Sequence, residues 1–147
     1  MRLTTFSDYT MRVMMYLGLQ HGQLVTISDI AQAYDISENH LMKVVHHLAQ
    51  HGYIETVRGK GGGLRLVREP ETINLGEMIR ISEGDASLLP CLDTNGTCCI
   101  QSSCRLMGIL HEAQVALFTV LGKYTLADLL QQEGTLSRIL MHSKSVV

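Results

Sequence analysis

The four cysteines of this 147-residue chain, Cys91, Cys98, Cys99 and Cys104, all lie in one short segment. Structural zinc sites usually draw their thiolates from paired cysteines about two to four residues apart, and this segment has no such knuckles. Gaps of six and five residues separate Cys91 from Cys98 and Cys98 from Cys104. A loop with such gaps can wrap an object larger than one ion, and iron–sulfur clusters require thiolates. The segment therefore predicts an iron–sulfur cluster.

Three of the four thiols are expected to be ligands, because the adjacent Cys98 and Cys99 point in different directions and cannot easily bind one small cluster. The fourth position would then be open to an oxygen ligand or to exchange. Two other interpretations stay open from the pattern itself. The cysteines are either small buried residues or a thiol redox pair.

The compartment expected for these thiols is the cytoplasm. The first residues, Met1 to Thr5, lack the charged start and apolar stretch of a secretory signal. No run approaches the roughly 18 apolar residues of a membrane span, and 46% hydrophobic residues with two prolines indicate a globular chain. In a reducing compartment, clustered cysteines indicate metal or redox chemistry rather than disulfides.

Positive charge is concentrated in residues 40–68. This segment holds five basic residues against one acidic residue, Glu55, a local charge of +4 in a chain whose formal net charge is −2. Such a local excess is typical of a surface that meets phosphates.

The elements around this segment predict a helix-turn-helix followed by a β-hairpin. A first helix is expected over residues 5–21, a second after the capping-box pattern that starts at Thr26, and a third after the N-cap residue Ser37. Strands are expected over 53–57 and 64–67, joined by a glycine-rich basic turn.

A helix of this kind fits the major groove of duplex DNA, and a narrow basic turn can reach the minor groove beside it. The polar side chains near the start of the third helix are candidates for base contacts, and those of the hairpin for phosphate or minor-groove contacts. The first group is Asn39, His40 and Lys43, and the second is Arg58, Lys60 and Arg65. The competing interpretation is that both groups merely face water.

The remainder of the chain predicts a long helix without an intramolecular partner. From residue 105 onward an apolar stripe recurs at helical spacing, and a symmetric dimer would bury it. The expected fold is mostly α with a small β-hairpin, a winged helix-turn-helix plus a long dimerisation helix. Its expected divisions are a winged helix-turn-helix over 1–83, a cysteine loop over 84–104, dimerisation and C-terminal helices over 105–133, and a tail over 134–147.

These residues resemble the Rrf-type winged-helix regulators, and within them the nitric-oxide-sensing repressors, over nearly the whole chain. The resemblance is carried by Leu3 to Tyr9, Asn39 to Lys43, Gly52-Tyr53, Val57 to Leu66, Cys98 to Leu106 and Tyr124 to Leu129.

The resemblance implies a homodimer that represses nitric-oxide detoxification genes from a palindromic operator in double-stranded DNA. It also implies a 4Fe–4S cluster, with 2Fe–2S as the alternative, held by Cys91, Cys98 and Cys104. Asp8 of the partner subunit would be the fourth ligand. Cys99 is additional to the family pattern and leaves the choice between Cys98 and Cys99 open.

Three alternatives to this function differ in what the cysteines do. A regulator of the same fold would use them as a thiol redox switch or to sense iron–sulfur cluster status. An iron–sulfur enzyme or electron carrier is disfavoured, because the sequence has neither a glycine-rich cofactor loop nor an acid and base at catalytic spacing.

Overall fold

The computed structural model describes residues 2–84, 88–89 and 98–142, so the predicted ligand Cys91 lies outside the described residues. The described chain is mostly helical with one antiparallel pair of strands, which confirms the predicted fold class. None of its helices is long and apolar enough to span a membrane. The elements are α1 Thr5–Gly18, α2 Ile27–Tyr34, α3 Glu38–Gln50, β1 Ile54–Val57, β2 Gly63–Leu66, α4 Leu75–Glu83, α5 Arg105–Leu121, α6 Leu126–Leu129 and α7 Glu133–His142.

The described residues form two compact units, one of residues 2–73 with 125–142 and one of residues 74–124. This differs from the predicted division at residue 83, because α4 belongs with α5. The predicted division also differs at the C-terminal end, because α6 and α7 belong with the helix-turn-helix and not with α5.

The core of the first unit lies where α1, α2 and α3 meet. The apolar faces expected from helical spacing are buried there, and the fully buried side chains include Val13, Met14, Ile30, Leu41 and Leu48. Helix α1 ends at Gly18, three residues earlier than predicted, and turns follow as far as Gly22, whose φ is +80°.

The turn between α2 and α3 is made at Asp35. This residue has a φ of +54° and ends α2 in the left-handed region, which lets α3 start after only two more residues. Asn and Asp tolerate this region better than other non-glycine residues because their short polar side chains bond locally. The tight turn gives α3 its position across the unit.

The caps of α2 and α3 differ in their hydrogen bonds. Thr26 and Asp29 form the predicted capping box, with Thr26 N–H donating to Asp29 Oδ2 at 3.0 Å and Asp29 N–H donating to Thr26 Oγ1 at 3.1 Å. Ser37 occupies the N-cap of α3, but its side chain makes no cap hydrogen bond. The two hydroxyls should therefore contribute unequally to stability.

We predict that Thr26→Ala lowers the free energy of unfolding by about 1 kcal/mol, because the Asp29 amide loses its acceptor and the Asp29 carboxylate loses the Thr26 hydroxyl as a donor. Ser37→Ala is the matched control and should change it by less than about 0.5 kcal/mol. Urea unfolding followed by circular dichroism measures both values. Equal losses for the two variants would contradict the cap assignment.

Strand β2 is held on both of its edges. On one side it pairs antiparallel with β1 in the register Glu55 opposite Arg65, and on the other it bridges to Val25. Leu64 N–H donates to Val25 O at 2.7 Å, and Val25 N–H donates to Leu64 O at 3.0 Å. A Cβ on Gly63 would lie 2.5 Å from the Val25 carbonyl oxygen, so this pairing requires glycine there.

The predicted tail over 134–147 is wrong for its described part, because α7 runs from Glu133 to His142. Helix α7 contacts α2, and Leu140 is buried. His21 Nε2 lies 2.5 Å from Glu133 Oε1, and Gln20 Nε2 donates to Met141 Sδ at 3.2 Å. These tertiary contacts stabilise a helix whose own sequence, with Gly134 near its start, is a weak helix former.

In the second unit α4 packs closely against α5. Asn74 caps α4 by accepting from Glu77 N–H at 3.1 Å and donates through its side chain to Gly122 O at 2.8 Å. A Cβ on Gly76 would lie 2.9 Å from Gly122 N, and the Arg80 guanidinium lies 4.7 Å from the centre of the Phe118 ring. Within the described part of the chain, no side chain of α5 is buried.

Candidate functional site

The outward face of α3 presents polar side chains to solvent. Leu41, Val44, Val45 and Leu48 point into the core and fix the roll of the helix. The opposite face carries exposed residues that recur at helical spacing, namely Asn39, Met42, Lys43 and His46. Two of the three predicted base-contact residues, Asn39 and Lys43, are thus together on one surface.

The third predicted residue, His40, lies at the margin of this face. Its ring centre is 6.1 Å from that of Tyr9 on α1, and one side of α3 continues the contact with α1 through His47, 5.3 Å from Phe6. His40 is exposed, but its ring lies beside Tyr9 of α1, so it has less freedom to reach a base than Asn39.

The carboxyl end of α3 is joined to the hairpin by Arg68. Its guanidinium lies 4.6 Å from the centre of the Tyr53 ring, and Nη2 donates to His51 O at 3.3 Å. A basic group at a helix C-terminus also complements the helix dipole. Arg68 therefore positions the hairpin relative to α3, a role that sequence analysis missed because it depends on tertiary contact.

The three predicted cations of the hairpin are not equivalent. Arg58 and Lys60 are exposed at the turn between the strands, where Gly62 N–H donates to Gly59 O at 3.0 Å. Arg65 forms an ion pair with Glu55, its register partner on β1. Arg65 is therefore already neutralised by a carboxylate, while Arg58 and Lys60 lie at the turn.

We predict that Arg58→Ala makes the negative slope of log binding constant against log salt concentration shallower by about 1 for duplex DNA. The reason is that each phosphate contact releases about one counterion. Arg65→Ala is the matched control on the same hairpin. It should change the slope by less, since the charge of Arg65 is already paired with Glu55. Fluorescence anisotropy at several salt concentrations measures both slopes. A larger change for Arg65→Ala would contradict the neutralisation of Arg65 by Glu55.

Asp8 lies in the first turn of α1 and is exposed. Arg12 Nε donates to Asp8 Oδ2 at 2.9 Å, one helical turn along α1. The same guanidinium lies 5.4 Å from the centre of the Tyr34 ring on α2. Burial raises the pKa of Tyr34 to about 12, so its phenol stays protonated and faces Arg12 as a neutral ring.

The described cysteines are free thiols at the start of α5. Cys98 and Cys99 are exposed, and Cys104 is half-buried at the N-cap of α5. Successive turns join them, because Gln101 N–H donates to Cys98 O at 3.1 Å and Cys104 N–H donates to Gln101 O at 3.3 Å. The described residues contain no group of three or more His, Cys, Asp or Glu side chains close enough to hold a metal ion.

The donor set of this segment fits an iron–sulfur cluster. Such clusters take thiolates, and the exposed Cys98 and the half-buried Cys104 precede the N-terminus of a 17-residue helix. The positive end of a helix dipole favours negative charge nearby, as a thiolate-ligated cluster would carry. Asp8 belongs to the other compact unit.

A family model described as Rrf2, iron-dependent transcriptional regulator, matches residues 3–132 of the chain. The chain belongs to the Rrf2 family. The match covers the winged helix, the cysteine segment and the long helix α5 together, and it confirms the family predicted from the sequence motifs.

Relatives of this Rrf2 regulator are similar over nearly their full length. The HTH-type transcriptional regulator NsrR of Bacillus subtilis (strain 168) is 45% identical over 142 residues, covering 95% of this chain and 97% of the relative. NsrR of Shouchella clausii (strain KSM-K16) is 44% identical over 143 residues, covering 95% of each. Because these relatives are transcriptional regulators, the chain is a regulator and not an enzyme.

Solved structures agree with this assignment. IscR of T. potens superposes with a TM-score of 0.71 at 27% identity over 90% of this chain and 88% of the other. CymR, the global cysteine regulator of B. subtilis, superposes with a TM-score of 0.67 at 28% identity over 88% and 95%. The winged-helix regulator fold is thus shared across the family.

Proposed function

We propose that this Rrf2 regulator is a homodimeric repressor that binds a palindromic operator and senses nitric oxide through an iron–sulfur cluster. Its targets would be genes for nitric-oxide detoxification, and it would act in the cytoplasm. The observation that carries the proposal is the combination, in one Rrf2 chain, of the exposed polar face of α3 with the free thiols of Cys98 and Cys104.

DNA binding is supported by the arrangement of α3 and the hairpin. Asn39 and Lys43 are exposed on one face of α3, and Arg58 and Lys60 are exposed at the hairpin turn. Side chains of these types read base edges and neutralise phosphates, respectively. Arg68 holds the two elements together, so a single subunit can present both to one half-site.

Dimer formation is supported by α5. Leu106, Ile109 and Val120 are more than half exposed on this helix, and an apolar stripe of this length exceeds the scattered apolar residues usual on a surface. A two-fold interface buries the same stripe from both subunits. A palindromic operator requires the two α3 helices of the dimer to face successive major grooves, roughly 34 Å apart.

For the cluster we propose Cys91, Cys98 and Cys104 as ligands, with Asp8 of the partner subunit as the fourth. Bound there, a 4Fe–4S cluster would supply iron atoms with which nitric oxide reacts. The exposed ion pair of Asp8 with Arg12 contributes only about 0–1 kcal/mol, so the carboxylate can exchange partners at little cost. A carboxylate would be a weaker ligand for the iron of such a cluster than the thiolates.

Regulation would follow from ligands shared between subunits. Cys98 and Cys104 precede α5, and Asp8 lies on the helix that packs against α3. A cluster held by the cysteines of one subunit and by Asp8 of the partner subunit would link the two subunits. This link would favour one arrangement of the two α3 helices. When Asp8 returns to Arg12, that preference is lost and the population able to bind the operator falls.

A thiol redox switch in the same fold is the second candidate, because the adjacent thiols of Cys98 and Cys99 are both exposed. Iron and labile sulfide in protein purified without oxygen distinguish the two. We expect a coloured protein whose native mass matches a dimer with one cluster per subunit. A colourless protein without iron that still binds DNA, and that releases it on thiol oxidation, would replace our proposal with the thiol switch.

A further inference from the structure

The outward face of α3 carries one large apolar side chain, Met42. It is 54% exposed, although the helix offers a buried face formed by Leu41, Val44, Val45 and Leu48. Single exposed apolar residues are common on protein surfaces, so exposure alone indicates nothing. The exposure of Met42 matters because of its position on the outward face of α3.

Met42 lies within the polar recognition face. Asn39 precedes it by three residues, Lys43 follows it directly, and His46 follows it by four, so the side chains of Asn39 and His46 are its neighbours along the helix surface. All three neighbours are exposed and polar or basic. This apolar group at the centre of the face is more than half exposed to solvent in its own subunit.

The base edges of the major groove offer one apolar feature, the 5-methyl group of thymine. The other exposed groups are hydrogen-bond donors and acceptors, which Asn39 and Lys43 can match. A methionine side chain is flexible and polarisable, and it fits against a methyl group without demanding exact geometry. Cytosine at the same position lacks the methyl group and carries an amino donor where thymine has the O4 acceptor.

We propose that Met42 contacts the 5-methyl group of a thymine in each operator half-site and selects thymine at that position. This inference rests on the proposed DNA-binding function and adds to it a specificity determinant that acts by apolar contact. Because the side chain of Met42 is exposed in the subunit, removing it should leave folding unchanged.

The test uses the full-length chain, purified without oxygen, and a duplex recovered by it from a random-sequence library. Each thymine of the recovered duplex is replaced in turn by deoxyuridine, which lacks only the methyl group. For the unsubstituted protein we expect about fourfold weaker binding at one thymine per half-site, the effect of removing one buried methyl group. For Met42→Ala we expect weaker binding to the thymine duplex and no further loss with deoxyuridine at that position.

Two variants serve as controls. Met42→Leu keeps an apolar side chain and should retain most of the sensitivity to deoxyuridine. Ile139→Ala removes another exposed apolar side chain, 64% exposed on α7, and should retain all of it. Unchanged thermal midpoints for the variants would show that the difference lies in binding.

Two results would overturn the inference alone: a recovered operator that tolerates deoxyuridine at every position, or a loss that is equal in the unsubstituted protein and in Met42→Ala. In either case sequence-specific binding itself would stand. Recovery of no specific duplex, by protein with or without its cluster, would instead overturn the proposed function and this inference together.

Discussion

Cys104→Ser and Cys98→Ser are each expected to yield protein without iron–sulfur absorption, whereas Cys99→Ser keeps it. Loss even of a group that only supports a metal ligand lowers metal affinity by about 10–100-fold, and loss of a direct thiolate ligand should exceed that range. Operator binding should fall with the cluster in the first two variants.

The chain itself provides the matched control, because Cys98 and Cys99 are adjacent and both exposed. Visible absorption and iron content, measured on protein purified without oxygen, distinguish the three variants. If Cys99→Ser loses the cluster while Cys98→Ser retains it, the ligand assignment is reversed. If all three retain iron at the level of the unsubstituted chain, these cysteines do not hold it.

Ile109→Lys is expected to convert the proposed dimer into folded monomers. The side chain is 53% exposed on α5, so the lysine is tolerated within one subunit. A charge buried without a partner costs about 3–5 kcal/mol, and a two-fold interface would bury two copies. The dissociation constant of the dimer should therefore rise by at least about a thousandfold.

Binding to a palindromic operator should weaken by about 100-fold or more in this variant, because each half-site would then be bound independently. His111→Lys is the control, since His111 is exposed on the same helix but lies off the apolar stripe. Native mass spectrometry and analytical ultracentrifugation measure the assembly. A dimer that survives Ile109→Lys would exclude this face of α5 as the interface.

Local patterns predicted most of the fold correctly. The capping box at Thr26 depends on two residues within one turn of each other, and it is formed. The apolar face of α3 follows from the spacing of its own residues, and burial of Leu41 and Leu48 confirms it. Features that one segment determines by itself can be predicted from sequence.

Features that depend on distant contacts could not be predicted in this way. Helix α7 contains Gly134 and Thr135 near its start, and it is ordered by contact with α2 rather than by its own helix propensity. No local sequence pattern indicates that α6 and α7 pack with the first unit. The ion pair between Arg65 and Glu55 depends on the strand register, which the glycine-rich turn alone does not define.

The candidate site shows the same limit. Helical spacing predicted Asn39 and Lys43, and the same spacing applied once more would have included Met42 between them. Arg68 could not be found from sequence, because its role depends on contacts with Tyr53 and the end of α3. The ligands Cys91, Cys98, Cys104 and Asp8 remain a prediction carried by the family resemblance and the chemistry of their side chains.

We propose that the iron–sulfur clusters of the dimer control operator binding, and a single titration tests this most directly. Nitric oxide is added in steps to the protein–operator complex without oxygen, while visible absorption reports the cluster and fluorescence anisotropy reports bound DNA. We predict that the two signals fall together. Operator binding that persists after the cluster signal has gone, or that is equally tight in colourless protein, would contradict the claim.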